Sequence, residues 1–160
     1  MSKKGFTLIE LLVAIGIIAV IVSIVAVAAA PSLKKARDAK RQQAVSTFGR
    51  FLAGGGCFVP AAGPGDYDLA DLAVEIRGRY PAAAQFSLPR DPHGGTEAET
   101  GYRYAVSMDG ATCAAYANLE NGSAEVTVGE AVPGERRGTG VLRGPAAGRN
   151  GTTLYFQSSN

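Results

Sequence analysis

The 160 residues carry 16 Lys/Arg against 14 Asp/Glu, and 46% are apolar and 19% charged, which suits one modest domain rather than two. One His, two Cys and no Trp exclude a His/Cys metal cage and a His-centred catalytic site. Residues 11–30 carry no charge, with only Gly16 and Ser23 interrupting the aliphatic run; about 20 such residues span a bilayer, which excludes a plain cytosolic protein. The net charge of +2 hides an asymmetry, because 1–50 hold eight bases and two acids whereas 51–160 hold eight bases and twelve acids.

A cleaved secretory signal has a short basic start, a 7–15-residue apolar stretch and a small-x-small site. Ala28-Ala29-Ala30 has the look of such a site, yet the apolar run is too long and Pro31 would directly follow the scissile bond. The segment is therefore expected to be retained. Glu10 stands near its start, where a carboxylate in hydrocarbon costs a few kcal/mol. Either it reaches the headgroups at the membrane edge or it needs a partner cation.

Behind a basic start, Lys4-Gly5-Phe6-Thr7-Leu8-Ile9-Glu10 closely resembles the class III signal of type IV pilins and type II secretion pseudopilins. The resemblance implies that a prepilin peptidase cuts between Gly5 and Phe6 on the cytoplasmic side and methylates the new amine of Phe6. It also implies that Glu10 pairs with a neighbouring subunit's N-terminal amine. Helix periodicity puts Phe6 and Glu10 one turn apart on one face. Neutralising a carboxylate in a low-dielectric helix bundle then favours adding a subunit. The implied partners are other copies in a helical filament, the peptidase, membrane lipid, an inner-membrane assembly platform and a cytoplasmic motor ATPase. The implied location is the inner membrane as a single-pass precursor, then the cell surface. Counting bases gives Lys3 and Lys4 before the span against Lys34, Lys35, Arg37, Lys40 and Arg41 after it, which alone places the N-terminus outside, whereas the resemblance places it inside.

Residues 1–5 thus read as a leader, 6–30 as the membrane and filament-core helix, 31–53 as its continuation and 54–160 as an exported domain. Lipid demands internally satisfied backbone, so the Val/Ile-rich span must be helical. Ala19 and Ser23, like Ala26 and Ala30, set small residues one turn apart for close helix packing, or simply form a lipid-facing stripe. Pro31 removes a backbone donor and is expected to kink or loosen the helix near Val27. Leu33, Ala36, Ala44, Phe48, Phe51 and Leu52 form an apolar stripe, with Lys34, Arg37, Asp38, Lys40 and Arg41 on faces toward water or headgroups. Gly54-Gly55-Gly56 stops the helix, roughly 70 Å from Phe6 at the standard rise.

The exported part reads as α+β, an antiparallel sheet packed on the long helix, which is also the plan the resemblance implies. A Gly/Pro/Ala loop leads to Asp68, expected to cap a helix with Leu69, Leu72, Ala73, Ile76 and Tyr80 on one face and Gly78 near its end. Tyr102, Tyr104, Val106 and Met108 alternate as a strand does, Asp109-Gly110 marks a turn, and 112–119 forms the second strand. Asn121-Gly122 turns the chain into a third, 124–128, completing a three-strand meander. Residues 133–151 are Gly-, Arg- and Pro-rich and expected to be loose, with 152–157 returning as a fourth strand.

Cys57 and Cys113 could close a loop of about 57 residues, worth roughly 4 kcal/mol in the chain-entropy model; the alternative is two buried free thiols. Asp91-Pro92-His93-Gly94-Gly95 resembles the Asp-Pro-x-Gly turn of major pseudopilins, several of which bind calcium nearby. Without a matching acidic cluster it reads here as a turn, with no metal and no cofactor, and His93 as a solvated loop residue. Arg136, Arg137, Arg143 and Arg149 read as a solvated basic segment, with DNA contact the lesser alternative. Asn121 and Asn150 sit in glycosylation sequons. There is no nucleophile elbow, phosphate loop or paired-carboxylate motif, so the expectation is a structural subunit and not an enzyme. A major or minor pilin, a pseudopilin and a competence pilin all fit, and so does an anchored single-span domain that never polymerises.

Overall fold

A computed structural model describes residues 5–53, 56–80 and 88–160. The expected helix stop at Gly54 and Gly55 lies outside the described residues, and the helix before it, α1 (Leu8–Ala53), ends at Ala53. The chain forms two compact units, Met1–Lys34 and Lys35–Asn160.

In the first unit α1 is apolar on every face, and the large side chains from Leu8 to Val27 are all exposed. A helix apolar all round has no polar face to give to water, and this one is long and apolar enough to cross a membrane. Pro31 lies inside it, and the helix continues on both sides. Ser23 donates its hydroxyl to the Ala19 carbonyl at 2.8 Å, so the polar atom in the run is satisfied within the helix itself.

The second unit sets the C-terminal part of α1 and a second helix on one face of a six-stranded sheet. Its elements are β1 (Gly65–Asp68), α2 (Leu69–Arg79), β2 (Arg103–Val106), β3 (Cys113–Asn118), β4 (Gly129–Glu130), β5 (Gly140–Arg143) and β6 (Leu154–Ser159). The order is β1-β2-β3-β6-β5-β4, antiparallel throughout except for the parallel β4–β5 pair. Tyr104 faces Ala115 across β2–β3, and Tyr116 faces Gln157 across β3–β6. Val45, Leu52 and Ala53 of α1 pack with Leu72 and Ile76 of α2 against Tyr104, Val106, Ala115 and Ala117. β3 is buried on both faces, which explains its alanines: little room is left for larger side chains under the helix. Helix and sheet approach closely at Gly49, where a Cβ would lie 2.4 Å from that of Ser158 and 2.8 Å from its carbonyl oxygen. α2 starts as expected, with Asp68 Oδ1 accepting from Ala70 N at 2.9 Å. Cys57 and Cys113 are bonded, Cα atoms 5.6 Å apart, fastening the chain beyond α1 to the start of β3.

Several expectations are corrected. Residues 124–128 are not a strand. Thr127 N and Val128 N both donate to the Val141 carbonyl, and Gly129, at φ +101°, turns the chain into the short β4 instead. The meander therefore does not form, and β3 pairs with β6 at the C-terminus. β1 occupies what read as a loop. β2 ends at Val106, and Met108 is at an exposed turn, 88% accessible. Tyr80 caps α2 rather than continuing it. The stretch 133–151 is ordered by specific contacts: it contains β5, with Leu142 fully buried. The buried Gln157 side chain accepts from Gly134 N at 3.2 Å and donates to the Arg136 and Gly138 carbonyls at 2.6 and 3.0 Å.

Candidate functional site

Gly5 and Phe6 precede α1 in non-helical backbone; among the described residues nothing lies within 4 Å of where a Gly5 Cβ would be, and Phe6 is 86% exposed. Thr7 and Glu10 then form a reciprocal cap. Glu10 N donates to Thr7 Oγ1 at 3.3 Å, while Glu10 Oε2 accepts from Thr7 N at 2.9 Å and Thr7 Oγ1 at 2.7 Å. This is a capping box, which satisfies amide donors that the first helical turn cannot pair internally. Thr7-Leu8-Ile9-Glu10 before an apolar run is its sequence signature, and the reading of Glu10 as a bare charge overlooked it. Glu10 Oε1 keeps its valence, with no partner among the described residues.

The second unit holds an ionic cluster that sequence reading missed. Arg41, expected on a face toward water, is fully buried. Its Nε and Nη2 donate to the two oxygens of Asp91 at 2.6 and 2.7 Å, Nη2 also to Glu120 at 2.6 Å, and Nη1 to Asp38 at 2.7 Å. Arg37 reinforces Glu120 through Nε at 2.8 Å and Nη2 at 2.6 Å. Asp38 also receives the backbone N–H groups of Glu120 and Asn121, at 2.9 and 2.8 Å. The cluster thus ties α1 to the 91–95 turn and to the chain leaving β3. Hydrogen bonds from Arg37 bring Glu120 down to about 2, against the opposing effect of its burial, with Arg41 adding to the shift. Burial alone would raise Asp91, but the Arg41 fork and His93 N hold it below the usual carboxylate range. Burial disfavours the Arg41 cation too, and its three acids more than reverse that, raising its pKa.

Asp91-Pro92 is a turn, as expected, but its carboxylate also serves the cluster. Among the described residues no group of three or more His, Cys, Asp or Glu side chains is arranged to hold a metal ion. Three of the four arginines of the basic segment engage different partners: Arg137 reaches the Ala111 carbonyl, Arg143 lies 3.8 Å from Glu130, and Arg149 pairs with Glu99 at 2.9 Å. Asn150 donates its amide to the Asn118 carbonyl at 2.8 Å, which places this sequon nitrogen in an internal bond.

Residues 1–29 match the family described as the prokaryotic N-terminal methylation motif, which is characteristic of type IV pilins and pseudopilins. No curated protein and no solved structure matches the chain. The long apolar helix followed by a mostly antiparallel sheet is a pilin-like α+β architecture.

Proposed function

We propose that the chain is the precursor of a type IV pilin-like filament subunit. The methylation motif over 1–29, on a helix whose first 26 residues carry Glu10 as their one charged group, is the observation that carries this reading. Prepilin peptidase removes residues 1–5 and methylates Phe6, and the helix waits in the inner membrane. Export into the filament then buries the apolar helix among copies of itself, with the unit from Lys35 onward outside the helical core. The assembly platform and a cytoplasmic motor supply the energy. Thr7 holds one carboxylate oxygen of Glu10 and leaves the other for a neighbour's Phe6 amine, so the cap and the intermolecular pair coexist on one side chain.

That division suggests the test. Gln still completes a capping box but carries no charge. Glu10→Gln is expected to leave the membrane pool intact and to cut sheared surface filaments at least tenfold. Wild-type filament yield from Glu10→Gln contradicts the charge pairing and leaves Glu10 as a helix cap alone, whereas a wild-type protein that stays in the membrane and never reaches sheared material favours an anchored domain.

A further inference from the structure

Two Asn-Gly pairs sit in the second unit, Asn121-Gly122 and Asn150-Gly151, and the fold treats them differently. An Asn followed by Gly can close on itself, because the Gly amide nitrogen can attack the Asn Cγ and no Gly side chain obstructs the five-membered ring. Closure needs a free following amide, a side-chain amide that can turn, and a donor for the charge that develops on Oδ1.

Asn121 meets all three conditions. Gly122 and Ser123 are exposed. Gly122 N and Asn121 Nδ2 have no hydrogen-bond partner among the described residues. Asn121 Oδ1 accepts from Ser123 N at 3.2 Å, an Asx turn whose ring encloses the Gly122 amide. A donor therefore already sits on the oxygen that takes the charge. Asn150 meets none of them. Its Nδ2 donates to Asn118 O at 2.8 Å, Gly151 N donates to Gly148 O at 3.0 Å, and its Oδ1 is buried with no partner among the described residues. Charge on an unpartnered buried oxygen is costly, so closure at Asn150 waits for local unfolding.

We propose that Asn121 is a site of spontaneous deamidation that sets a new carboxylate against the Arg41 cluster. Gly122 N gives up its proton to water and bonds to Asn121 Cγ; the Cγ–Nδ2 bond then breaks, and Nδ2 leaves with a proton as ammonia. Water next opens the resulting succinimide. Opening at Cγ leaves Asp at this position, and opening at the carbonyl on Cα routes the chain through Cβ as isoaspartate. One water is consumed, one ammonia is released and nothing is oxidised. Asn121 N donates to Asp38 Oδ2 at 2.8 Å, and Glu120 precedes it. The new charge therefore joins Asp38, Asp91 and Glu120, which already share Arg37 and Arg41. Like charge there weakens the tie between α1 and the chain leaving β3. The inference stands apart from the filament reading.

The test holds full-length protein in detergent at mildly alkaline pH. Peptide mapping with isoaspartyl-methyltransferase labelling follows conversion at both asparagines over time. In native protein Asn121 is expected to convert at least tenfold faster than Asn150, and denaturant is expected to close that gap. Gly122→Ala is expected to slow conversion at Asn121 at least tenfold and to keep the fold. Gly122 does not take a positive φ, and an added Cβ would meet only Thr152 Cγ2, at 3.9 Å. Aged wild type is expected to unfold at lower denaturant concentration than fresh protein, whereas Gly122→Ala aged in the same way keeps its midpoint. No conversion at Asn121, or equal native rates at the two positions, overturns the site. A converted sample whose midpoint matches that of fresh protein overturns its coupling to the cluster.

Discussion

Arg41 donates hydrogen bonds to three carboxylates from inside the protein, and the two bonds to Asp91 form a planar fork that only a guanidinium matches. Removing one member leaves uncompensated charge in a poorly solvated site, which costs far more than an exposed pair is worth. Arg41→Ala is expected to destabilise the Lys35–Asn160 unit by about 3–5 kcal/mol. Arg41→Lys keeps the charge but not the fork, and is expected to fall between wild type and Ala. Glu97→Gln, breaking the exposed Arg90–Glu97 pair, should change stability by at most about 1 kcal/mol. Denaturant titrations of the three variants in detergent measure all of these. The cluster also sets an acid limit. Glu120 and Asp91 have lowered pKa values in the fold, so their contribution is present above the unfolded-state pKa and is lost as pH falls through the folded one. Stability is expected to decline from about pH 4.5, the ordinary value for Glu120, toward pH 2. Glu120→Gln is expected to flatten that decline while lowering stability at neutral pH. A decline equally steep in the variant would show that other groups govern acid unfolding.

Two glycines separate conformational freedom from close approach at the scale of elements. Gly49 lets α1 lie against β6, where an added Cβ would meet both side chain and backbone of Ser158. Gly78 lies in the last turn of α2 with open space around it. Gly49→Ala is expected to cost about 1–3 kcal/mol through overpacking, and Gly78→Ala to stabilise by about 0.5–1 kcal/mol through helix propensity. Thermal melts followed by circular dichroism give the two signs, and a stabilised Gly49→Ala would mean that helix and sheet are not in contact there. The elements legible in the sequence were those with a local signal: α1 from its apolar run, α2 from Asp68 and its periodicity, and β2 and β3 from alternation around Asp109-Gly110. β1 and β5 had none. Gly-Asp-Tyr-Asp and Gly-Val-Leu-Arg are too short and too mixed to read as strands, and neighbours distant in sequence decide their pairing. The ionic cluster was hidden for the same reason, since apart from the i,i+3 pair of Asp38 and Arg41 its members lie about 50 to 80 positions apart.

For the whole molecule, the two ends of α1 answer to different solvents. The stretch before Lys34 is apolar on all sides and exposed, whereas the stretch beyond it buries Val45, Leu52 and Ala53 under a sheet and Arg41 among acids. The N-terminal motif was legible because it is contiguous in sequence, and the methylation-motif family covers 1–29. Its capping box was equally local and is the one part of that segment that needed the hydrogen bonds to be recognised. The central claim is that a retained, processed helix carries this globular unit into a surface filament. Intact-mass measurement with N-terminal sequencing of material sheared from the cell surface tests it most directly. The account predicts a chain that begins at Phe6 and carries one added methyl on that amine. A chain recovered only from membranes and still beginning at Met1 or Ser2 would contradict it.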